Sequence, residues 1–289
     1  MFANIEQNVP ILPLTENVPK NGITIKYLPK GKDPYVFDEV DCPSAKNADE
    51  QIFEGKEFKE IEQSNRHFLH FIAENSDLIN SDGILSLRNI SHIHDPLTFI
   101  SEHQNDGFKI PQWANETIRK EIFRLYNLKN SFNFKTERQK RLLSGPLFTE
   151  ILNRMESIAL NVNCDLKEKF HGYSGHDGTV AGLLAILGIN LEIFPTFSTA
   201  VLIELHQQIN NQSERNLERD KTFFIRLFHK NETDGNNLWE FKIPNCGNFC
   251  SLKKLKEIKE IIELKEWQEE CKNINNDDNL IFNNKVKNM

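Results

Sequence analysis

No stretch of these 289 residues is apolar for long enough to cross a bilayer as a helix. The longest candidate, near Val180 to Ile193, is interrupted by Gly and Asn. Basic residues form no dense stripe: 35 Lys and Arg lie scattered among 42 Asp and Glu, for a formal charge of -7. That balance excludes a surface that binds nucleic acid by counterion release. The first residues, Met1-Phe2-Ala3-Asn4-Ile5-Glu6, offer neither a basic n-region nor an apolar h-region, so they do not read as a signal peptide. No internal repeat is present. Cysteine is sparse, at five, and no His/Cys spacing makes a zinc site; Cys246-Gly-Asn-Phe-Cys250 reads as a local disulfide instead.

What remains is the composition of an ordinary globular chain, with 38% apolar and 27% charged residues, long enough to bury a large core. Four N-glycosylation sequons occur, at Asn89, Asn115, Asn211 and Asn231, although Asn-rich chains also produce them by chance. Sequons and cysteines point to the secretory route while the N-terminus does not. The expectation that reconciles them is a chain beginning downstream of its natural start.

Periodicity divides the chain. Val9-Pro-Ile-Leu-Pro-Leu14 reads as extended, because two prolines exclude a helix interior, and residues 19 to 45 read as loop. Phe58, Ile61, Phe68 and Phe71-Ile72 recur on a helical stripe. Ile118, Ile122, Phe123 and Tyr126 do the same after Asn115. A segment at Gln139–Leu143 meets Gly145-Pro146, and a new helix is expected from Pro146 to Leu160, with Leu147, Ile151, Met155 and Ile158 inward. Beyond Asn161 the pattern becomes β-like. Strand candidates are Lys169–Ser174, Ala200–Leu205, Thr222–Phe228 and Leu238–Ile243, with helices after Gly178 and over Ser251–Trp267. The expected organisation is an extended segment and loop over 1–45, a helical subdomain over 46–160, an α/β core over 161–271 and a disordered tail over 272–289.

The chemistry-bearing stretch is Tyr173-Ser-Gly-His-Asp-Gly-Thr-Val-Ala-Gly-Leu183. It places His176 and Asp177 in a glycine-flanked turn opening a helix, where unpaired amides and the helix dipole suit an anion such as phosphate. An imidazole there can donate to a phosphate oxygen, and an adjacent carboxyl can protonate a leaving alkoxide. The same residues allow a plainer reading, in which Asp177 is only an N-cap.

This stretch resembles the C-terminal signature of the histidine acid phosphatases, the prostatic and lysosomal type. Asp95-Pro-Leu, Ile110-Pro-Gln-Trp113-Ala, Gly145-Pro-Leu-Phe-Thr-Glu-Ile-Leu152, Ile203-Glu-Leu205, Lys230-Asn-Glu-Thr233, Ile243-Pro-Asn-Cys-Gly-Asn-Phe-Cys250 and Trp267-Gln-Glu-Glu-Cys271 follow in that family's order. The likeness runs from about Val9 to Cys271, as the C-terminal three-quarters of a family member. It implies an α/β, mixed-sheet histidine-phosphatase-like domain with an inserted all-helical subdomain, here without its N-terminal strands. It also implies hydrolysis of phosphate monoesters through a phosphohistidine, without cofactor or metal. His176 would then bind phosphate and Asp177 would be the proton donor. Cys42 would pair with Cys271 and Cys246 with Cys250, leaving Cys164 unpaired. The resemblance further implies a lysosomal or extracellular location and a possible homodimer.

Two departures bear on activity. The family's nucleophile lies in an Arg-His-Gly motif, and the only Arg-His pair here, Arg66-His67, is followed by Phe68 within a helical stripe. No nucleophile is therefore assigned, and the arginine clamp is missing with it. Gly178 stands where the family usually has Thr. The expectation is a family phosphatase whose 289 residues are inactive alone and, lacking sheet neighbours, poorly soluble. The alternative is a non-catalytic relative acting as an extracellular binding or structural protein.

Overall fold

The structure, a computed structural model, describes residues 32–36, 41–78, 83–160, 170–208, 223–231, 237–247, 249–262 and 267–272. The extended reading of Val9–Leu14, the unpaired Cys164, the sequon at Asn211 and the expected tail beyond Lys272 lie outside them.

Five helices form the first half: α1 (Pro43–Phe53), α2 (Lys56–Ser64), α3 (Arg66–Ser76), α4 (Ser91–Glu102) and α5 (Glu116–Asn130). The loop expected up to residue 45 ends earlier, because α1 starts at Pro43. At the first helical position proline's fixed φ is already helical and its missing N–H would have had no partner. The stripe expected from Phe58 onward is real but broken at Asn65, whose amide donates to the Ile61 carbonyl at 2.7 Å and ends α2. Phe58 and Ile72 are buried, while Ile61, Phe68 and Phe71 are partly buried against the same core. In that core Phe58 meets the rings of Phe53 and Phe132 edge-on, at centroid distances of 4.9 and 5.2 Å. α5 is capped by Asn115, whose side-chain oxygen accepts from the Ile118 amide.

Helix α6 corrects the expected break at Gly145-Pro146: it runs unbroken from Glu137 to Leu160 with Pro146 inside it. Proline removes the amide that would reach the Leu142 carbonyl, and the indole N–H of Trp267 donates to that carbonyl at 3.0 Å. Ile158 is correspondingly not inward but exposed. The other end of α6 is tied to α1 by the buried Gln139, which donates to Asp49 at 2.7 Å and to the Phe132 carbonyl at 2.9 Å.

Helix α7 (Asp177–Ile186) crosses α6 at its small residues. A methyl group on Gly182 would lie 2.0 Å from the Ser144 hydroxyl oxygen and 2.8 Å from the Phe134 ring, so only glycine admits this approach. The strands β1 (Ala200–Gln207), β2 (Phe223–Lys230), β3 (Trp239–Phe241) and β4 (Cys250–Ser251) make one sheet. β2 is central: β1 lies antiparallel along its full length, from Ala200 opposite Lys230 to Gln207 opposite Phe223. β3 and β4 pair antiparallel with the other edge. Residues 170–176, expected to begin as a strand, have no ladder partner among the described residues and are assigned no strand. Helices α8 (Leu252–Ile262) and α9 (Trp267–Lys272) complete the described chain.

The second core joins Phe148 and Leu152 of α6, Leu183 and Leu184 of α7, Ile225 and Leu227 of β2, and Leu252 and Leu255 of α8. A smaller cluster gathers Cys42, Leu142, Ala181 and Cys271. Both implied disulfides form, Cys42–Cys271 between the foot of α1 and α9, and Cys246–Cys250 between the turn after β3 and the first residue of β4. The fold is α/β, with helices in the first half and the antiparallel sheet in the second. No described helix is long and apolar enough to cross a membrane.

Candidate active site

The chain enters α7 through a short anchored segment. Tyr173 is hydrogen-bonded to Arg154 of α6, which also donates to Glu150 at 2.9 Å. Burial opposes the charge on Arg154, yet these two partners hold its pKa above the ordinary value. Three residues on, His176 adopts extended backbone angles and is the N-cap of α7, so Asp177 is the first helical residue rather than the cap. The Thr179 hydroxyl accepts from the His176 amide at 3.1 Å, closing the turn. Gly175 makes room for it, since a methyl group there would sit 2.9 Å from that hydroxyl.

Both candidate side chains are exposed to solvent. The Asp177 carboxylate is nevertheless held at two points: Oδ1 accepts from the Gly178 amide at 2.7 Å and Oδ2 from the Tyr126 hydroxyl at 3.3 Å. The negative charge sits at the favourable end of the helix dipole. The unpaired amides expected here are partly used. Gly178 donates to Asp177, and Thr179 and Val180 both donate to the His176 carbonyl.

Tyr126 is the residue the sequence placed only on a buried stripe. It reaches Asp177 from α5, 51 positions away. Burial first, then the charges of Asp177 and Asp95, push its pKa well above the ordinary value. It therefore remains a hydrogen-bond donor at any physiological pH. The His94 ring stacks on it with centroids 3.6 Å apart and 9° between planes, and His94 Nδ1 lies 2.8 Å from Asp95 Oδ1. Phe194 meets the Tyr126 ring edge-on at 6.0 Å. Spacing along the sequence does not reveal this arrangement, because it is assembled from α4, α5 and α7.

Arg66 and His67 lie exposed at the start of α3. Among the described residues no group of three or more His, Cys, Asp or Glu could hold a metal ion. Of the glycosylation candidates, Asn89 and Asn115 are exposed, and Asn231 is described without the rest of its sequon.

An acidic residue braced at the head of a helix, beside an exposed imidazole, defines a candidate anion-handling site in an α/β protein. The family profile of the histidine phosphatase superfamily, branch 2, matches residues 20–230, and the chain belongs to that family. It is similar to a Caenorhabditis elegans protein named "Putative acid phosphatase 5", 31% identical over 91% of this chain and 58% of that protein. It is also similar to prostatic acid phosphatase of Bos taurus, 27% identical over 88% of this chain and 62% of the relative. The Rattus norvegicus prostatic acid phosphatase is 28% identical, over 82% and 57% respectively. The chain thus spans about six-tenths of the length of these relatives.

Proposed function

We propose that this chain carries the leaving-group half of a phosphate-monoester hydrolase site, with His176 binding a phosphate oxygen and Asp177 protonating the departing alkoxide. The observation that carries the reading is the bracing of Asp177 by the Gly178 amide and the Tyr126 hydroxyl. That brace positions a carboxyl beside an imidazole at the head of a helix, and it is the negative charge of a bound phosphate ester that would favour the protonated carboxyl over the ionised one. A positioned general acid of this kind contributes about 10²–10⁴-fold to a rate.

The other half of the reaction needs a nucleophilic imidazole and cations that neutralise the transferring phosphoryl group. No Arg-His-Gly sequence occurs in these 289 residues, and Arg66-His67 is an exposed pair at the start of α3. The chain alone therefore binds phosphate weakly and does not turn over esters. The alternative is a non-catalytic relative that keeps the fold for binding, and an Arg-His-Gly segment encoded upstream of residue 1 in the transcript would exclude it. The two disulfides support a lysosomal or extracellular setting, where such bonds persist.

The test is titration of the chain with inorganic phosphate, following the His176 imidazole resonances by NMR. Saturable shifts at the His176 imidazole, accompanied by shifts of the neighbouring Gly178 and Thr179 amides that are lost in His176→Ala, are expected; resonances that stay fixed at high phosphate would sink the assignment.

A further inference from the structure

Asn89 and Asn115 each head an Asn-X-Ser/Thr triplet, and folding treats the two triplets differently. At Asn89 the middle residue, Ile90, is buried at 0% exposure, and Ser91 is already the first residue of α4. Asn89 itself ends the 3-10 turn Leu87–Asn89, so packing closes this triplet against the helical core. At Asn115 all three residues, Asn115, Glu116 and Thr117, stay exposed.

The Asn115 amide is also placed to carry a substituent without losing its structural task. Its Oδ1 accepts from the Ile118 amide at 3.1 Å and caps α5. A sugar would join Nδ2, which the cap does not use, so the modified side chain keeps its carbonyl and the helix keeps its cap. The Glu116 carboxylate, next to the acceptor, is drawn back along the helix to Lys120 by an ion pair of 2.6 Å.

We propose that Asn115 is an N-glycosylation site, preferred over Asn89, and that its donor is a lipid-linked oligosaccharyl pyrophosphate. In the transfer Nδ2 attacks the anomeric carbon. The new C–N bond forms as the C–O bond to the pyrophosphate breaks, the lipid pyrophosphate leaves with that electron pair, and the amide gives one proton to a base of the transferase. Asn115 stays open to this reaction after folding, whereas Asn89 is open only until α4 packs. The inference rests on the lysosomal or extracellular setting proposed above, and not on the roles of His176 and Asp177. Tyr126, which reaches Asp177, lies about three turns further along α5, roughly 16 Å from Asn115. The glycan therefore clears the candidate active site.

The test translates the full 289-residue chain behind a cleavable secretory leader in the presence of microsomes. Protease protection identifies the translocated molecules, and peptide mass spectrometry after endoglycosidase in heavy-oxygen water reads each site. Asn115 should be occupied in most translocated molecules and Asn89 in fewer, with Thr117→Ala abolishing the Asn115 glycan. Peptide N-glycosidase should remove that glycan without denaturant. It leaves an aspartate, an equally good cap, so the denaturant midpoint should hold, whereas Asn115→Ala should lower it. A bare Asn115 in protected molecules, or higher occupancy at Asn89, overturns the proposal. Protein isolated from its own cells and found bare at Asn115 overturns it through its setting. Loss of the phosphate response at His176 with Asn115 occupied would count against the active-site reading alone.

Discussion

The indole N–H of Trp267 donates to the carbonyl oxygen of Leu142, at 3.0 Å across 125 positions of sequence. That carbonyl is the one Pro146 leaves without its helical partner, so α6 passes through a proline without breaking. Trp267→Phe keeps the ring's bulk and removes the donor. The expected loss is about 1–3 kcal/mol of unfolding free energy. Restoring an amide with Pro146→Ala should recover part of it, so urea unfolding of the two single variants and the double should show a coupled pair. Strictly additive losses would separate the two residues.

Gly182 lets α7, which carries Asp177, approach α6 at Ser144 and Phe134. Gly182→Ala must push the helices apart, at an expected cost of about 1–3 kcal/mol. The same shift displaces Asp177 from Tyr126, so the variant's tyrosine absorbance should change along with its melting temperature. A variant as stable as the parent would show that the two helices have slack.

These relationships set the bounds of what sequence could tell. The helix over Ile118–Tyr126 and the strands at Ala200 and Phe223 were readable because their periodicity and the Asn115 cap are local. Gly145-Pro146 misled because its compensation lies in α9, and the Lys169–Ser174 segment misled because strand composition does not supply a neighbour. His176 and Asp177 stood out through their turn, and resemblance named their roles. Tyr126 and His94 did not, since their approach to Asp177 exists only once three helices pack.

Tyr126 is held protonated by burial and by the charges of Asp177 and Asp95, which raise its pKa above the ordinary value near 10. A pKa raised on folding contributes stability that is fully present below the unfolded value and lost as pH rises through the folded one. The protein should therefore lose stability from about pH 10 upward. In spectrophotometric titration Tyr126 should ionise after Tyr35 and Tyr173. Tyr126→Phe should flatten the alkaline loss; a parent and variant with the same alkaline slope would contradict this.

The bond between Cys42 and Cys271 closes 229 positions and ties α1 to α9. Replacing both cysteines with Ser should cost roughly 2–5 kcal/mol, visible as a lower denaturant midpoint. Mild reduction of the parent should produce the same shift. If neither moves the midpoint, the α1–α9 contact is held by packing alone.

A phosphoryl group needs an acceptor imidazole and a cationic cradle as well as the acid that frees the alcohol. The most direct measurement is hydrolysis of p-nitrophenyl phosphate at acidic pH by the purified 289-residue chain, with Asp177→Ala alongside. The account predicts release indistinguishable from buffer for both proteins, and no phosphate covalently trapped on histidine after quenching. Turnover by the parent that Asp177→Ala abolishes would contradict it.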